Sequence, residues 1–578
     1  MKRLVAAAAL VGLASVPLAT SLISAASSTF TSQTSTTTPP TAPEAARFLT
    51  QATFGPTDQS IASVQTSGIA PWIAQQESMP VSNSHVAYMD NRLAFLRLTN
   101  SFAQVKAVDF YNSFWKASVV APDQLRQRVK LALSEIFVIS FAAPEMSPRG
   151  IASYYDMLGT NSFGNYRAIL EKVTLHPMMG NYLNMIHSAK ENLATGQHPD
   201  ENFAREVQQL MSIGLYQLNQ DGTVKTDAAG APIPTYTISD IEGLAKVFTG
   251  FSWYVTDPTV AGTLVAFQGS HLDANSYVTS MVAYPAYHST SAKSFLGVTI
   301  PASTKSDPNG DLKIALDTIF NHPNVGPFIG KQLIQRLVTS NPSPAYVSRV
   351  AGVFNDNGAG VRGDMRAVIA AILTDPEART QVASSSPTYG KLREPVVRLA
   401  NWARAFKATS TSNWWLIGDT SAPVSLYQSA LNAPSVFNFW RPGFVPPGTA
   451  MGAQGLVAPE FQAVNEVTVA GYPNVMLKTV YAGIGPTASS TNRPDVRSTF
   501  DKEKLLANDA GKLADRVNLL LLYGQMSPLL RSRIVGAVNA IAVPGSTATQ
   551  GQIDKALANR AHIAVFLATI SPEYLAQR

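Results

Sequence analysis

The sequence of 578 residues contains no cysteine. Disulfides, thiolate zinc sites, iron–sulfur clusters and a cysteine nucleophile are thereby excluded. Charge is also scarce: 14% of residues are charged, against ~25% in typical soluble domains. The surface must be covered largely by Ser, Thr, Asn, Gln and Ala. Such a surface suits an exported protein and suits a nucleic-acid binder poorly. The net charge of +6 is small for this length. No HExxH, GxSxG or P-loop occurs, no GxGxxG is followed by a dinucleotide pattern, and no two histidines stand at the i, i+4 spacing of a helical zinc site. No metal and no cofactor is therefore expected. There is no repeat with a period of 20–50 residues, and after the N-terminus no stretch is long and apolar enough to span a bilayer.

What is present is a globular apolar content of 46%. Length alone allows roughly four units of about 150 residues. Residues 1–26 have the form of a Sec-type secretory signal: Lys2 and Arg3, an uncharged apolar run from Leu4 to Leu18, then Ser24-Ala25-Ala26 at a cleavage site. The competing reading is an uncleaved anchor helix. Small residues and a Ser/Thr/Pro tract follow directly, which favours cleavage and a periplasmic or extracellular location with no stable membrane span. Without Lys2 and Arg3 the excess of cations over anions falls from six to four. Residues 27–43 (SSTFTSQTSTTTPPTAP) are a polar linker.

From Glu44 the pattern is helical. Ser527-Pro528 and Ser571-Pro572 place a capping hydroxyl before a first-turn proline. Ser239-Asp240-Ile241-Glu242 has the form of a capping box, with Ile241, Leu244, Ala245 and Phe248 behind it. Turn residues at 219–222 and 227–230 predict a small β-hairpin insertion. Residues 251–306 show no clean period. Residues 408–460 are an aromatic- and proline-rich loop, and 485–497 a second loop. The expectation is a mostly α fold: one large helical domain over 44–578, with any sub-lobe break near 408–424 or 485–497.

Several ordered strings carry a family resemblance. They include RVKLALSEIFVIS (128–140), FGNYRAILEKVTLHPMMGNYL (163–183), HPDENFAREVQQLMSIGLYQLNQDGT (198–223), PTYTISDIEGLAKVFTGF (234–251), HPNVGPFIGKQLIQRLVTSNPSP (322–344) and PSVFNFWRPGFVPPG (434–448). On these the chain resembles the bacterial domain of unknown function 1800 family over nearly everything after the linker. The resemblance implies export, a largely helical fold and a gene often set beside a sulfatase-like exported family. It carries no catalytic residue across.

The residues themselves offer candidates. With Phe203 at zero on a helical wheel, Glu206 falls at about −60°, between Leu210 and Ile213. Glu206 therefore points into a buried stripe, while Glu201 and Arg205 form a solvated pair. Arg336 lies at about −60° from Leu333 and also points inward, as does Arg126 beside Val129 and Leu133. A buried carboxylate must be paired, protonated or in a wet cleft. The two readings are a Glu206–Arg336 ion pair and a polar catalytic cleft lined by Glu206.

The other candidates are weaker. Of the eight histidines, His176 and His322 each precede a proline and read as helix C-terminal residues. Asp200 reads as a cap. His288 and Lys293 fall in the irregular middle region. The acidic turns around Asp221 and Asp307 miss EF-hand spacing and read as turn chemistry. Asp364 reads as the N-cap of a helix from Met365. Trp414, Trp415, Tyr427, Phe437, Phe439, Trp440 and Phe444 either pin a loop to the core or form stacking platforms for a sugar ring.

The sequence thus points to a glycosidase-like hydrolase acting on a polysaccharide. Glu206, Asp240 and His288 would be catalytic, and Asn202, Arg336, Trp414, Phe439 and Trp440 would bind substrate. The alternative is a non-catalytic envelope or secreted protein that binds a partner, with the sulfatase-like neighbour as one candidate. The leader leads to a direct expectation: protein recovered outside the cytoplasm begins near Ser27 on N-terminal sequencing. An intact Met1 there would refute cleavage.

Overall fold

Helix starts in this chain are written in hydroxyls and prolines. Thr41 accepts from the Glu44 amide while Glu44 reaches back to the Thr41 amide, and Ala42–Ala52 follows. That helix begins two residues inside the stretch read as linker, because Thr41 is a good cap and Pro43 fits a first turn. Ser527 and Ser571 cap Pro528–Asn539 and Pro572–Leu575, and Asp364 caps Met365–Thr374, as expected. The box expected at Ser239 lies two residues earlier. Thr237 is extended and accepts from the Asp240 amide, so Ser239 is already inside Ile238–Val247.

The computed structural model describes residues 39–82, 84–380, 388–545 and 547–578. The proposed leader and residues 27–38 of the linker lie outside them. The residues from Pro40 to Arg578 form one compact unit. It holds 25 α-helices among the described residues, about half the chain, and a few short antiparallel strands. The fold is mostly α. No helix among the described residues is long and apolar enough to cross a membrane.

The core is built around helices that are covered on every side. Gln124–Ser134 (QLRQRVKLALS) is buried at all of its 11 positions, Arg126, Arg128 and Lys130 included. Arg126 faces inward as its wheel position indicates, and Ala42–Ala52, Ala107–Val120, Pro148–Asn161 and Val325–Leu337 all pack against the helix. Arg126 donates to the carbonyls of Gly159 and Met79, and its guanidinium lies 4.7 Å from the Phe163 ring. Backbone carbonyls and an aromatic face thus replace water around a cation.

The expected turns at 219–230 form. Asp221 accepts from the Thr223 amide and Asp227 from those of Ala229 and Ala231, with isolated bridges at Leu218–Val224 and Thr226–Pro232. Two further hairpins were not legible: Lys293–Phe295 with Val298–Ile300, and Ile484–Ala488 with Arg493–Arg497. The second corrects the loop read at 485–497. Its Gly, Pro and Asn residues hide a strand pair, and the alternation that marks a half-buried strand is missing. Thr409–Ser410 adds to the same sheet, and Asp495 accepts from Ser410, Ser412 and Leu416. The two stretches considered as lobe boundaries therefore meet in one sheet.

Gly243 lets Ile238–Val247 lie against Lys293–Phe295. A Cβ there would sit 1.9 Å from the Ser294 carbonyl oxygen, which is backbone and cannot swing away. Gly536, in Pro528–Asn539, has nothing within 4 Å of its Cβ position. Helix propensity alone favours alanine at both by ~1 kcal/mol. Gly536→Ala is expected to raise the melting temperature. Gly243→Ala is expected to lower it, by roughly 1–3 kcal/mol of stability from overpacking. A stabilised Gly243→Ala would show that the helix–strand contact is not close.

Candidate functional site

Glu206 faces inward as the wheel indicates. The helix runs from Asn202 to Gln209, and Met211 and Ile213 are buried beyond its end. The N-cap is Glu201 rather than Asp200, and Asp200, one residue earlier, accepts from the Asn202 amide at 2.8 Å. Glu201 and Arg205 form the exposed pair, at 3.2 Å. Glu206 is 7% exposed, and its Oε2 has no hydrogen-bond partner. Burial raises its carboxyl above the usual 4.5, against the pull of Arg205.

Arg336 is not its partner. Arg336 lies 3.5 Å from the Glu135 carboxylate and donates to the Glu135 carbonyl at 2.8 Å and the Gln332 carbonyl at 3.2 Å. Val325–Leu337 packs against Gln124–Ser134, whose C-cap is Glu135. A wheel gives the direction of a side chain but not what waits there.

Asp240 is a capping residue: its carboxylate accepts from the Thr237 amide and, at 2.7 Å, from the Leu296 amide. His288 is fully buried, with Nδ1 2.8 Å from the Thr249 carbonyl and Nε2 2.9 Å from the Asp311 carboxylate. Lys293 reaches the same Asp311 oxygen at 2.9 Å and donates to the Ser289 carbonyl. This cluster clamps the irregular 284–295 segment onto the end of Ile238–Val247 and onto Pro308–Asn321. Asp240 and Thr249 stand near opposite ends of Ile238–Val247, about 13 Å apart along its axis. Asp240 thus caps the start of that helix, and His288 is held beyond its end.

The His-Pro pairs use their rings on the segment that follows. His176 accepts from the Met178 amide and caps Pro177–Tyr182, and His322 accepts from the Asn324 amide. His322 is the C-cap of Pro308–Asn321, whereas the helix before His176 ends at Thr174 with Leu175 as its cap; in neither case does the ring serve the last carbonyls.

The aromatic loop is pinned. Trp440 is buried, with Phe439 beside it at 5.7 Å, and Gln335 donates to the Pro442 carbonyl. Trp414 meets Tyr88 edge-on at 5.2 Å and lies under the Arg92 guanidinium at 5.1 Å. Its ring face is already taken.

Two groupings escaped the sequence. Ser113 Oγ lies 2.7 Å from His85 Nδ1, and His85 Nε2 lies 2.9 Å from Lys130 Nζ. Burial brings Lys130 down to about 8. The order resembles a base-activated nucleophile, but all three side chains are sealed in the core and none lines the large cavity.

That cavity is the second grouping. It has a volume of about 830 Å³ and lies among Glu466–Ala482, the 3₁₀ turn Pro459–Ala463, the pair Lys391–Leu392 with Ala576–Gln577, and the start of Pro395–Ala405. Its walls are largely apolar, with Leu426, Leu456, Phe461 and Val469 among them. Thr468, Val469, Tyr472 and Pro473 come from one helix face. Pro473 has no amide to donate to the Val469 carbonyl one turn back.

On the cavity lining lies an ion pair, Lys391 to Glu460 at 2.9 Å. Lys391 also donates to the Arg336 carbonyl at 2.7 Å and lies 3.6 Å from Glu394. Glu460 is buried, and burial raises its carboxyl despite Lys391; its Oε2 has no partner. Burial also pushes Glu394 up, but Arg128 and Lys391 outweigh it and hold this carboxyl at about 2. Arg336 is thus beneath the lining rather than in it. Cavity residues are scattered from Ser340 to Arg578, so no local period marks them. Among the described residues no group of three or more His, Asp or Glu is arranged to hold a metal.

Glu206→Gln tests the buried carboxylate. A raised folded-state pKa means that the folded chain binds more protons than the unfolded one from 4.5 upward, so stability falls as pH rises through that window. Glu206→Gln lacks this loss. Its stability advantage over the parent is expected to grow with pH above 4.5, with Glu201→Ala within about 0.5 kcal/mol of the parent throughout. A Glu206→Gln protein losing several kcal/mol at pH 7 would show that Glu206 is a paired anion.

The comparisons with known proteins agree with this picture only at the level of family. No curated protein and no solved structure matches the chain. The family described as protein of unknown function (DUF1800) matches residues 47–576, nearly the whole chain, and the protein belongs to that family.

Proposed function

We propose that the protein is exported and binds an apolar small molecule in the cavity between Glu466–Ala482 and the Lys391–Leu392 strand. The observation that carries this is the cavity itself: about 830 Å³, with apolar walls and a single Lys391–Glu460 pair on its lining. Ligand sites have this form, a mostly apolar hollow of ~300–1,000 Å³ with a few placed polar groups. The exported location rests on the form of residues 1–26. A polysaccharide site would instead need two carboxyls facing each other across a cleft. Asp240 and His288 are committed to capping and clamping, and Trp414 and Trp440 to packing.

One observation favours the hydrolase reading. Glu206 has a raised carboxyl and an unpartnered oxygen, the state a general acid requires. On that reading Glu206→Gln abolishes turnover of a polysaccharide that the parent cleaves. An envelope partner, the sulfatase-like neighbour among the candidates, would be the recipient or donor of the bound molecule.

The binding reading is tested with a neutral solvatochromic dye such as Nile red. The mature protein is expected to bind it saturably at one site. Leu456→Trp, which fills the cavity from a half-buried loop position, is expected to abolish that binding without loss of fold. Non-saturable binding, or binding unchanged in Leu456→Trp, would overturn the assignment.

A further inference from the structure

The charges that line the cavity are lopsided. Its basic side chains are Lys391, Arg398 and Arg578, and its acidic one is Glu460. Lys391 and Glu460 neutralise each other. That leaves two guanidinium groups.

Arg398 sits on Pro395–Ala405 and is 6% exposed. Its Nε donates to the Arg393 carbonyl at 2.6 Å, and the guanidinium lies over the Tyr472 ring at 4.7 Å. No carboxylate among the described residues forms an ion pair with it; Glu460 bears on it only from a distance. Arg578 lines the same cavity, and its Nη1 is buried without a hydrogen-bond partner. A buried cation without an anion is costly, and the cost is tolerated where a ligand supplies the missing charge. A guanidinium fork matches a carboxylate or phosphate in two parallel hydrogen bonds. The Tyr472 ring holds the Arg398 plane from one side, which orients that fork. The rest of the wall offers apolar contact.

We infer that the cavity takes an anionic amphiphile, its single acidic head on the Arg398 guanidinium and its apolar body along Leu426, Leu456, Phe461 and Val469. The inference rests on the binding reading above and adds the chemical class of the ligand. It differs from a generic greasy site because it demands a sign: a neutral or cationic head on the same chain must bind less well. The open oxygen of Glu460 is the one feature that would favour a cation. Lys391, 2.9 Å away, already holds the other oxygen.

Displacement of the neutral dye from the mature full-length protein tests this with four twelve-carbon probes: dodecanoate, dodecyl phosphate, dodecanol and dodecyltrimethylammonium. A charge-assisted hydrogen bond predicts about tenfold tighter binding of an anionic probe than of dodecanol. Dodecanoate or dodecyl phosphate leading identifies which acidic head is preferred, and either supports the inference. Arg398→Gln is expected to bring the anions down to the affinity of dodecanol while dodecanol itself is unchanged. The comparison among probes needs only the parent protein, so it stands even if Arg398→Gln does not fold. Equal binding of dodecanoate, dodecyl phosphate and dodecanol would overturn the anionic head and leave the cavity assignment intact. A preference for dodecyltrimethylammonium would overturn it in favour of Glu460. Displacement by none of the four would overturn both the head and the cavity assignment.

Discussion

The structure depends on a knot of charge sealed from water. Arg128 donates to the Arg336 carbonyl at 2.6 Å and reaches Glu394 at 3.4 Å, while Arg336 lies against Glu135. Lys391 joins Glu394 to Glu460. Gln428 donates to both Glu394 and Glu135. Three acids, three bases and an amide thus tie together Gln124–Ser134, Val325–Leu337, the Lys391–Leu392 strand, the start of Pro395–Ala405 and the turn at Pro459–Ala463. Any one of these charges alone would be prohibitive in the interior. Burial and repulsion from Glu394 raise Glu135 far above the ordinary carboxylate range, while neighbouring cations hold Glu394 down. The same burial thus acts on two neighbouring carboxyls with opposite outcomes, set by which cations each one faces.

The cavity and the knot are one construction. Lys391 and Glu460 belong to both, and Arg336 supports Lys391 from below through its carbonyl. A large hollow beside a hydrophobic core forfeits contact energy along its lining. Here that lining is fixed on one side by charge-assisted bonds, whose geometry is directional, rather than by packing alone. The walls can stay apolar and open because the positions of Lys391 and Glu460 do not depend on filling the space above them.

What could be read from residues alone was what short range decides. The caps at Ser527, Ser571 and Asp364 were legible, as were the Glu201–Arg205 pair and the inward direction of Glu206, because each depends on neighbours within one or two turns. The capping box slipped by two residues because Thr237 and Ser239 both offer a hydroxyl, and only the backbone angles choose between them. In Gln124–Ser134 the inward direction of Arg126 was legible, but nothing local reveals that Arg128 and Lys130 are covered as well. Arg336 misled most: its direction was right, but its partner Glu135 is 201 positions away. The cavity was illegible for the same reason, since its lining is gathered from distant turns and strands.

The distances along the chain within the knot bear on how the fold is reached. Arg128 meets Arg336 and Glu394 across separations of 208 and 266 residues. Closing loops of that size costs chain entropy before any contact repays it, and such topologies condense late and slowly. A partly assembled knot is worse than none, because one guanidinium buried ahead of its carboxylate is a penalty with nothing against it. Burying each guanidinium together with its carboxylate avoids that penalty. A chain caught between the two ends of that process has every reason to fall back to the open, hydrated coil.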